Sequence, residues 1–272
     1  MQRKTKLIFA ISIAIVILIA VLALIRQKQT AREAWVSVLG KCADTEVIGH
    51  DFIFFGLSNE IGPGSVWRKA EDGSFRLRFE LSDIEPDAAK RQGLIRTGNT
   101  AVCQGGNLSN WSLNAGLPFE GKLTPVSGTF SSELRKAQSV AVGVDVWSID
   151  VLKEVPYEQL LTSLKKPYDS ELTKTDRLVI ENAVKLSGFK AAFNFSKQIA
   201  TDLKTKYSDE SMSVALRNGP YLDARWTSDT TLTLSSPDPF YMLAAFGRLK
   251  SGSLTVTFTN GTSGLELRTV IR

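Results

Sequence analysis

SVWRKAEDGSFRLRFEL, residues 65–81, decides the fold class. Phe75, Leu77, Phe79 and Leu81 alternate with Arg76, Arg78 and Glu80. Side chains along a strand point to opposite faces in turn, so this pattern reads as a strand with one buried and one wet face. Glu71-Asp72-Gly73 is a turn signal, and Ser65 to Lys69 ahead of it forms the other arm of a hairpin.

The same patterning recurs on both sides. Phe52 to Phe55 is apolar in succession, as in a strand buried on both faces. Val140, Val142, Val144 and Val146 alternate and read as one strand running on to Val151. Residues 177–195 read as one or two strands, with a break at Ser187-Gly188. Ser213 to Arg217, Tyr221 to Trp226 and Thr230 to Leu234 follow as strands. Leu254 to Thr259 and Leu265 to Ile271 flank Asn260-Gly261, a favoured hairpin turn pair.

Helical spacing is rarer. Pro156 opens a run with Tyr157, Leu160, Leu161 and Leu164 on one side. Phe195, Ile199, Leu203 and Tyr207 fall four apart and predict a helix over 197–207. Thr30 and Glu33 fit a capping box, with Gly40 as the stop. Strands outnumber helices and are joined by turns. The expected class is α+β, mainly antiparallel β.

Leu7 to Ile25 is an unbroken apolar run with Ser12 as its one polar member. As a helix it would span roughly 28 Å, close to the hydrocarbon thickness of a bilayer. Arg3, Lys4 and Lys6 precede it, and Arg26, Lys28 and Arg32 follow. The expected organisation is a cytoplasmic tail over 1–6 and a transmembrane signal anchor over 7–25. A juxtamembrane stalk helix over 26–40 and an extracytoplasmic region over 41–272 follow, with a weak division near 167. The alternative is a cleaved signal peptide, with Val21-Leu22-Ala23 as the small-residue site. The orientation expected is N-in, single-pass at the cell membrane. The bilayer is then one partner, through residues 7–25.

The chain has 33 Lys and Arg against 28 Asp and Glu. Six of the basic residues lie in positions 1–32, so residues 33–272 carry 27 against 28, a net charge of −1. The exported part therefore lacks the positive field that nucleic acid requires. Cys42 and Cys103 sit in no metal-ligand spacing. In an oxidising compartment their pairing closes a loop of about 60 residues, contributing about 3–4 kcal/mol. Two buried free thiols are the alternative.

Motifs for catalysis, metals and nucleotides are missing. His50, the single histidine, reads as a strand-end residue without triad partners. Asp145 and Asp150 are five apart on one strand, which puts them on opposite faces. No cofactor is implied. Arg68, Lys69, Arg76 and Arg78 form a candidate basic patch, set against a solvated face laced with ion pairs. Residues 104–128 are rich in Gly and Asn, with Trp111 and Phe119 as candidate partner contacts. Trp111 reads equally as a plug packing that loop onto the core. Asn107, Asn110, Asn194 and Asn260 head Asn-x-Ser/Thr sequons.

The function expected is a non-enzymatic, membrane-anchored domain binding a protein or ligand partner at the cell envelope. An envelope hydrolase with paired carboxylates, and a subunit of a secretion, division or surface-appendage assembly, are the alternatives.

Overall fold

The computed structural model describes residues 29–59, 61–103, 108–119, 123–124, 130–164, 177–207, 211–216, 221–248, 255–261 and 264–270. The expected anchor over 7–25 and the division near 167 lie outside them. Among the described residues no helix is long and apolar enough to cross a membrane.

Helix α1 (Ala31–Leu39) starts as its sequence dictates. The Thr30 hydroxyl accepts from the Glu33 N–H at 3.2 Å, and the Glu33 carboxylate accepts from the Thr30 N–H at 2.9 Å. These bonds satisfy donors that a helix start leaves open, and such a cap contributes about 1 kcal/mol. The stripe Ala34, Trp35, Val38 and Leu39 is buried.

In chain order the first strands are β1 (Ile53–Ser58), β2 (Val66–Lys69), β3 (Phe75–Phe79), β4 (Ile95–Val102), β5 (Ser109–Trp111) and β6 (Leu123–Thr124). Next come β7 (Ser139–Gly143), β8 (Val146–Leu152), β9 (Arg177–Ser187) and β10 (Phe189–Asn194). The last are β11 (Ser211–Leu216), β12 (Tyr221–Trp226), β13 (Thr231–Ser236), β14 (Phe240–Arg248), β15 (Thr255–Gly261) and β16 (Gly264–Val270). Short helices α2 (Leu81–Ile84), α3 (Ala88–Leu94) and α4 (Phe130–Leu134) join α5 (Glu154–Ser163) and α6 (Lys197–Lys206). The α+β, mainly antiparallel reading holds.

The strands form two seven-stranded sheets and the separate β15-β16 pair. In the first sheet β4, β8, β9 and β14 lie side by side; in the second, β5, β7, β10 and β13 lie in the same order. Each of these four ribbons passes from one sheet to the other. The two sheets are thus one sheet folded along a crease, as in packings whose corners are made by strands that switch sheets. The crease crosses the chain at Cys103, at Val144-Asp145, at Gly188 and at Ser236 to Pro239. Gly188 turns there with φ of 67°, and a Cβ at that position would strike the Asp145 carboxylate. Glycine permits both the angle and the close approach.

Burial explains why the fold closes. One cluster inside the crease runs from Ala34 to Ala245 and includes Trp35, Trp111, Phe119, Trp147, Phe189, Phe193 and Phe240. It draws on both sides of residue 167. Helix α1 lies within it: Trp35 and Leu39 are wholly buried, and the Trp35 ring packs on Trp111 at 5.4 Å and on Phe189 at 6.1 Å. A smaller aromatic cluster of Phe55, Trp67, Phe75 and Phe246 accompanies the β2-β3 hairpin.

Several expectations shift. The valine strand expected to run from Val140 to Val151 is two strands, because the crease falls at Val144-Asp145. In β3 the register slips between Val66-Trp67 and its partners, Val66 facing Phe79 and Trp67 facing Leu77. Arg78 is the extra residue of a bulge, so Phe75 and Leu77 join the aromatic cluster while Phe79 packs with Ile84 and Val66. The last hairpin pairs Gly261 with Gly264, so the chain reverses after Gly261 and not at Asn260-Gly261.

Candidate functional site

The Cys42–Cys103 disulfide is formed, with Cα atoms 4.8 Å apart. It ties the residues just after α1 to the ribbon β4-β5 at the crease. On the Cys103 side, the aromatic residues of 104–128 are packed into the core, while Leu108 is exposed. Trp111 is 4% exposed and Phe119 is 2% exposed. The Trp111 indole N–H donates to the Gly116 carbonyl at 3.0 Å, and the Trp35 indole N–H donates to the Pro118 carbonyl at 2.9 Å. The expectation of Trp111 and Phe119 as partner contacts is corrected. Their rings fill the crease, and two indole donors satisfy the loop carbonyls that this packing takes from water.

On the Cys42 side, residues 43–53 make two tight turns, closed by Ile48 N–H to the Thr45 carbonyl and Phe52 N–H to the Gly49 carbonyl. Arg32, in the first turn of α1, holds them. Its Nε donates to the Phe52 carbonyl at 2.8 Å, and its Nη2 to Gly49 at 2.6 Å and Ile48 at 3.5 Å. Ile48 and Phe52 point into the core, while Val47 and Ile53 are 41% and 36% exposed. His50 is exposed on this loop.

The basic strand pair divides. Arg68 lies opposite Arg76 on β3 and Arg177 on β9, three arginines abreast. Lys69 lies opposite Phe75. Directly paired residues share a face and successive residues do not, so Lys69 stands on the other side from Arg68 and Arg76. Arg78 occupies the bulge. The four cations named as a candidate patch are thus not all on one face of the sheet. Asp72 is taken up locally: its carboxylate accepts from the Ser74 hydroxyl and N–H, which lowers its pKa, with Arg76 a smaller cause.

Asp145 and Asp150 are not brought together. Asp145 sits at the crease and pairs with Lys190 at 3.3 Å, both groups about half exposed. Asp150 is 2% exposed and is the one buried carboxylate among the described residues. Thr97 of β4 donates to its Oδ1 at 2.9 Å. Tyr241 of β14 donates to its Oδ2 at 2.9 Å, and Lys185 of β9 lies 3.6 Å from the same oxygen. Four adjacent strands each supply one group to this cluster. Burial first, and then the Asp150 charge, push the Tyr241 phenol well above the ordinary tyrosine range. Tyr241 is thereby held as a donor. Both Asp150 oxygens are engaged, and the cluster ties four strands together.

A cavity of about 200 Å³ opens beside Tyr241, lined also by Gly62, Ser65, Leu81, Arg91 and Ile95. Near it, β9 changes partners along one edge. Residues 177–179 pair with β2 and 182–187 with β8. The Gly64 N–H donates to the Ile180 carbonyl, the Ile180 N–H to the Ser65 carbonyl, and the buried Tyr157 hydroxyl to the Gly64 carbonyl. The polar groups that the fork leaves open are met in this way. Sequence reading missed this cluster because Thr97 and Tyr241 lie on β4 and β14, strands it did not assign.

No family model matches this chain, and no curated protein matches it. Among solved structures it is similar to a bacterial gasdermin from Bradyrhizobium tropiciagri, at 11% identity and a TM-score of 0.39, over 81% of this chain and 88% of that one. A likeness of that size assigns neither fold nor activity.

Proposed function

We propose that the protein is a single-pass membrane protein, anchored by residues 7–25 with its N-terminus inside. Its folded region would bind a protein or ligand partner at the cell envelope without catalysing a reaction. The observation that supports this most is the continuity between the apolar run and the core. Only residues 26–30 separate Ile25 from α1, and Trp35 and Leu39 of α1 are wholly buried in the crease. Anchor and domain are then coupled without a long flexible linker, which suits a domain presented at a fixed height. The Cys42–Cys103 disulfide fits an oxidising compartment.

The test is expression of the full chain, followed by membrane extraction, intact mass and protease access from the outer side. Retention through alkaline washing, a mass that includes residues 1–23 and external digestion support the reading. A soluble chain starting at Leu24, or a domain protected within the cytosol, overturns it. Stoichiometric co-purification in mild detergent would instead favour an assembly subunit.

A further inference from the structure

We propose that the loop 43–53 is a lipid-contacting surface, with Val47 and Ile53 seated in the outer headgroup layer beside the anchor. This rests on the anchored reading above. Three observations carry it. First, the loop is placed by α1's first turn: Arg32 holds the carbonyls of Ile48, Gly49 and Phe52. Second, the path from Ile25 to Thr30 is five residues, so α1 starts no more than roughly 18 Å from the end of the apolar run, and nearer if those residues coil. Third, the apolar residues of the two tight turns and the first residue of β1 divide, Ile48 and Phe52 being 5% exposed while Val47 and Ile53 are 41% and 36% exposed. The core has no use for these two side chains, and single exposed aliphatics would need no comment elsewhere. Here they stand where the chain must approach the bilayer.

The charge of the loop narrows the lipid. Asp44, Glu46 and Asp51 are exposed among Val47 and Ile53, with Lys41 and His50 as the basic neighbours. Arg26 and Lys28 stand between the anchor and α1, but the loop's own three carboxylates are repelled by anionic headgroups, so the loop surface fits zwitterionic lipid. The contact is shallow: two aliphatic side chains at the acyl boundary and carboxylates left in water.

The experiment uses the full chain reconstituted into phosphatidylcholine vesicles that carry a shallow spin-labelled lipid. Because the native cysteines are bonded, Val47→Cys, Ile53→Cys and Tyr221→Cys each offer one thiol for an environment-sensitive fluorophore. Tyr221, on β12, is 72% exposed and serves as the control. The expected result is strong quenching and a blue shift at 47 and 53, neither of them at 221, and a reduction of both when phosphatidylglycerol replaces part of the lipid. Vesicles that float without the protein mean that the anchor reading has failed. Vesicles that carry the protein, with 47 and 53 as unquenched as 221, overturn the loop contact alone. Quenching that grows with anionic lipid overturns the zwitterionic assignment.

Discussion

On one side of the Cys42–Cys103 bond, residues 108–119 bury Trp111, Leu117 and Phe119 and leave Leu108 46% exposed. On the other, residues 43–53 bury Ile48 and Phe52 but leave Val47 and Ile53 in solvent. The first contains the short strand β5 and the second is two tight turns, and both are fixed to α1, one through the Trp35 indole and the other through the Arg32 guanidinium. They differ in what their side chains can bring to a core. A Trp ring supplies a large apolar face and a polar edge, so it can close a crease and satisfy a loop carbonyl at once. A valine at a tight turn supplies little area and no donor. In residues 108–119 the aromatic rings are the buried ones, and the exposed apolar side chains of the two segments, Leu108, Val47 and Ile53, are aliphatic.

The largest break in that comparison comes from Trp111→Ala. It should lower stability by about 3–5 kcal/mol, read by denaturant unfolding, because it empties a space that Trp35 lines. Unchanged stability would return Trp111 to the surface. Removing the bond between the loops with Cys42→Ser and Cys103→Ser should cost about 3–4 kcal/mol, from the length of the closed loop. A much smaller loss in thermal or chemical unfolding would mean that the reduced chain stays compact.

Arg32→Ala acts on the second loop only. Three carbonyls lose a charged donor, and about 2 kcal/mol should follow, since such bonds are stronger than neutral ones. Hydrogen exchange should speed up over 45–53 and stay unchanged over 109–119; equal acceleration in both loops would show that they are one unit. The smallest effect is His50→Ala, which should change stability by less than about 0.5 kcal/mol, as for an exposed loop residue. A binding or hydrolytic activity lost on that change, in a chain with an unaltered melting temperature, would make the loop a functional centre of a different kind.

Much of the secondary structure was legible. The Thr30 cap, the turn at Glu71-Asp72-Gly73 and the helix from Lys197 each rest on short-range chemistry that a sequence displays. What lay hidden depends on partners far along the chain. Alternation identifies Val140 to Val151 as strand but cannot say that Asp145 turns a corner, since the corner packs against Gly188 on another ribbon. The bulge at Arg78 is likewise set by β2. Strands β4 and β14 were missed outright. β4 is a mostly exposed edge strand with Gly98 and Asn99 in its middle, and β14 has no clean alternation because it is buried in the sheet interior. The burial of Trp111 was open at the sequence level, since composition describes the loop and not the crease that receives it.

The place of α1 inside the crease also sets the order in which the chain can be finished. Synthesis delivers α1 first among the described elements, with Trp35 and Leu39 ready for burial. The cluster that buries them includes Phe189, which packs on the Trp35 ring, and Phe240 and Leu243, all in the last third of the chain. Pairings such as β4 with β8 and β9 with β14 join segments distant in sequence, and topologies of that kind fold slowly. During that interval the stripe of α1 and the open strand edges stay uncovered, a state prone to association with other chains. Helix α1, first among the described elements to be made, thus shares its core with residues made near the end of the chain.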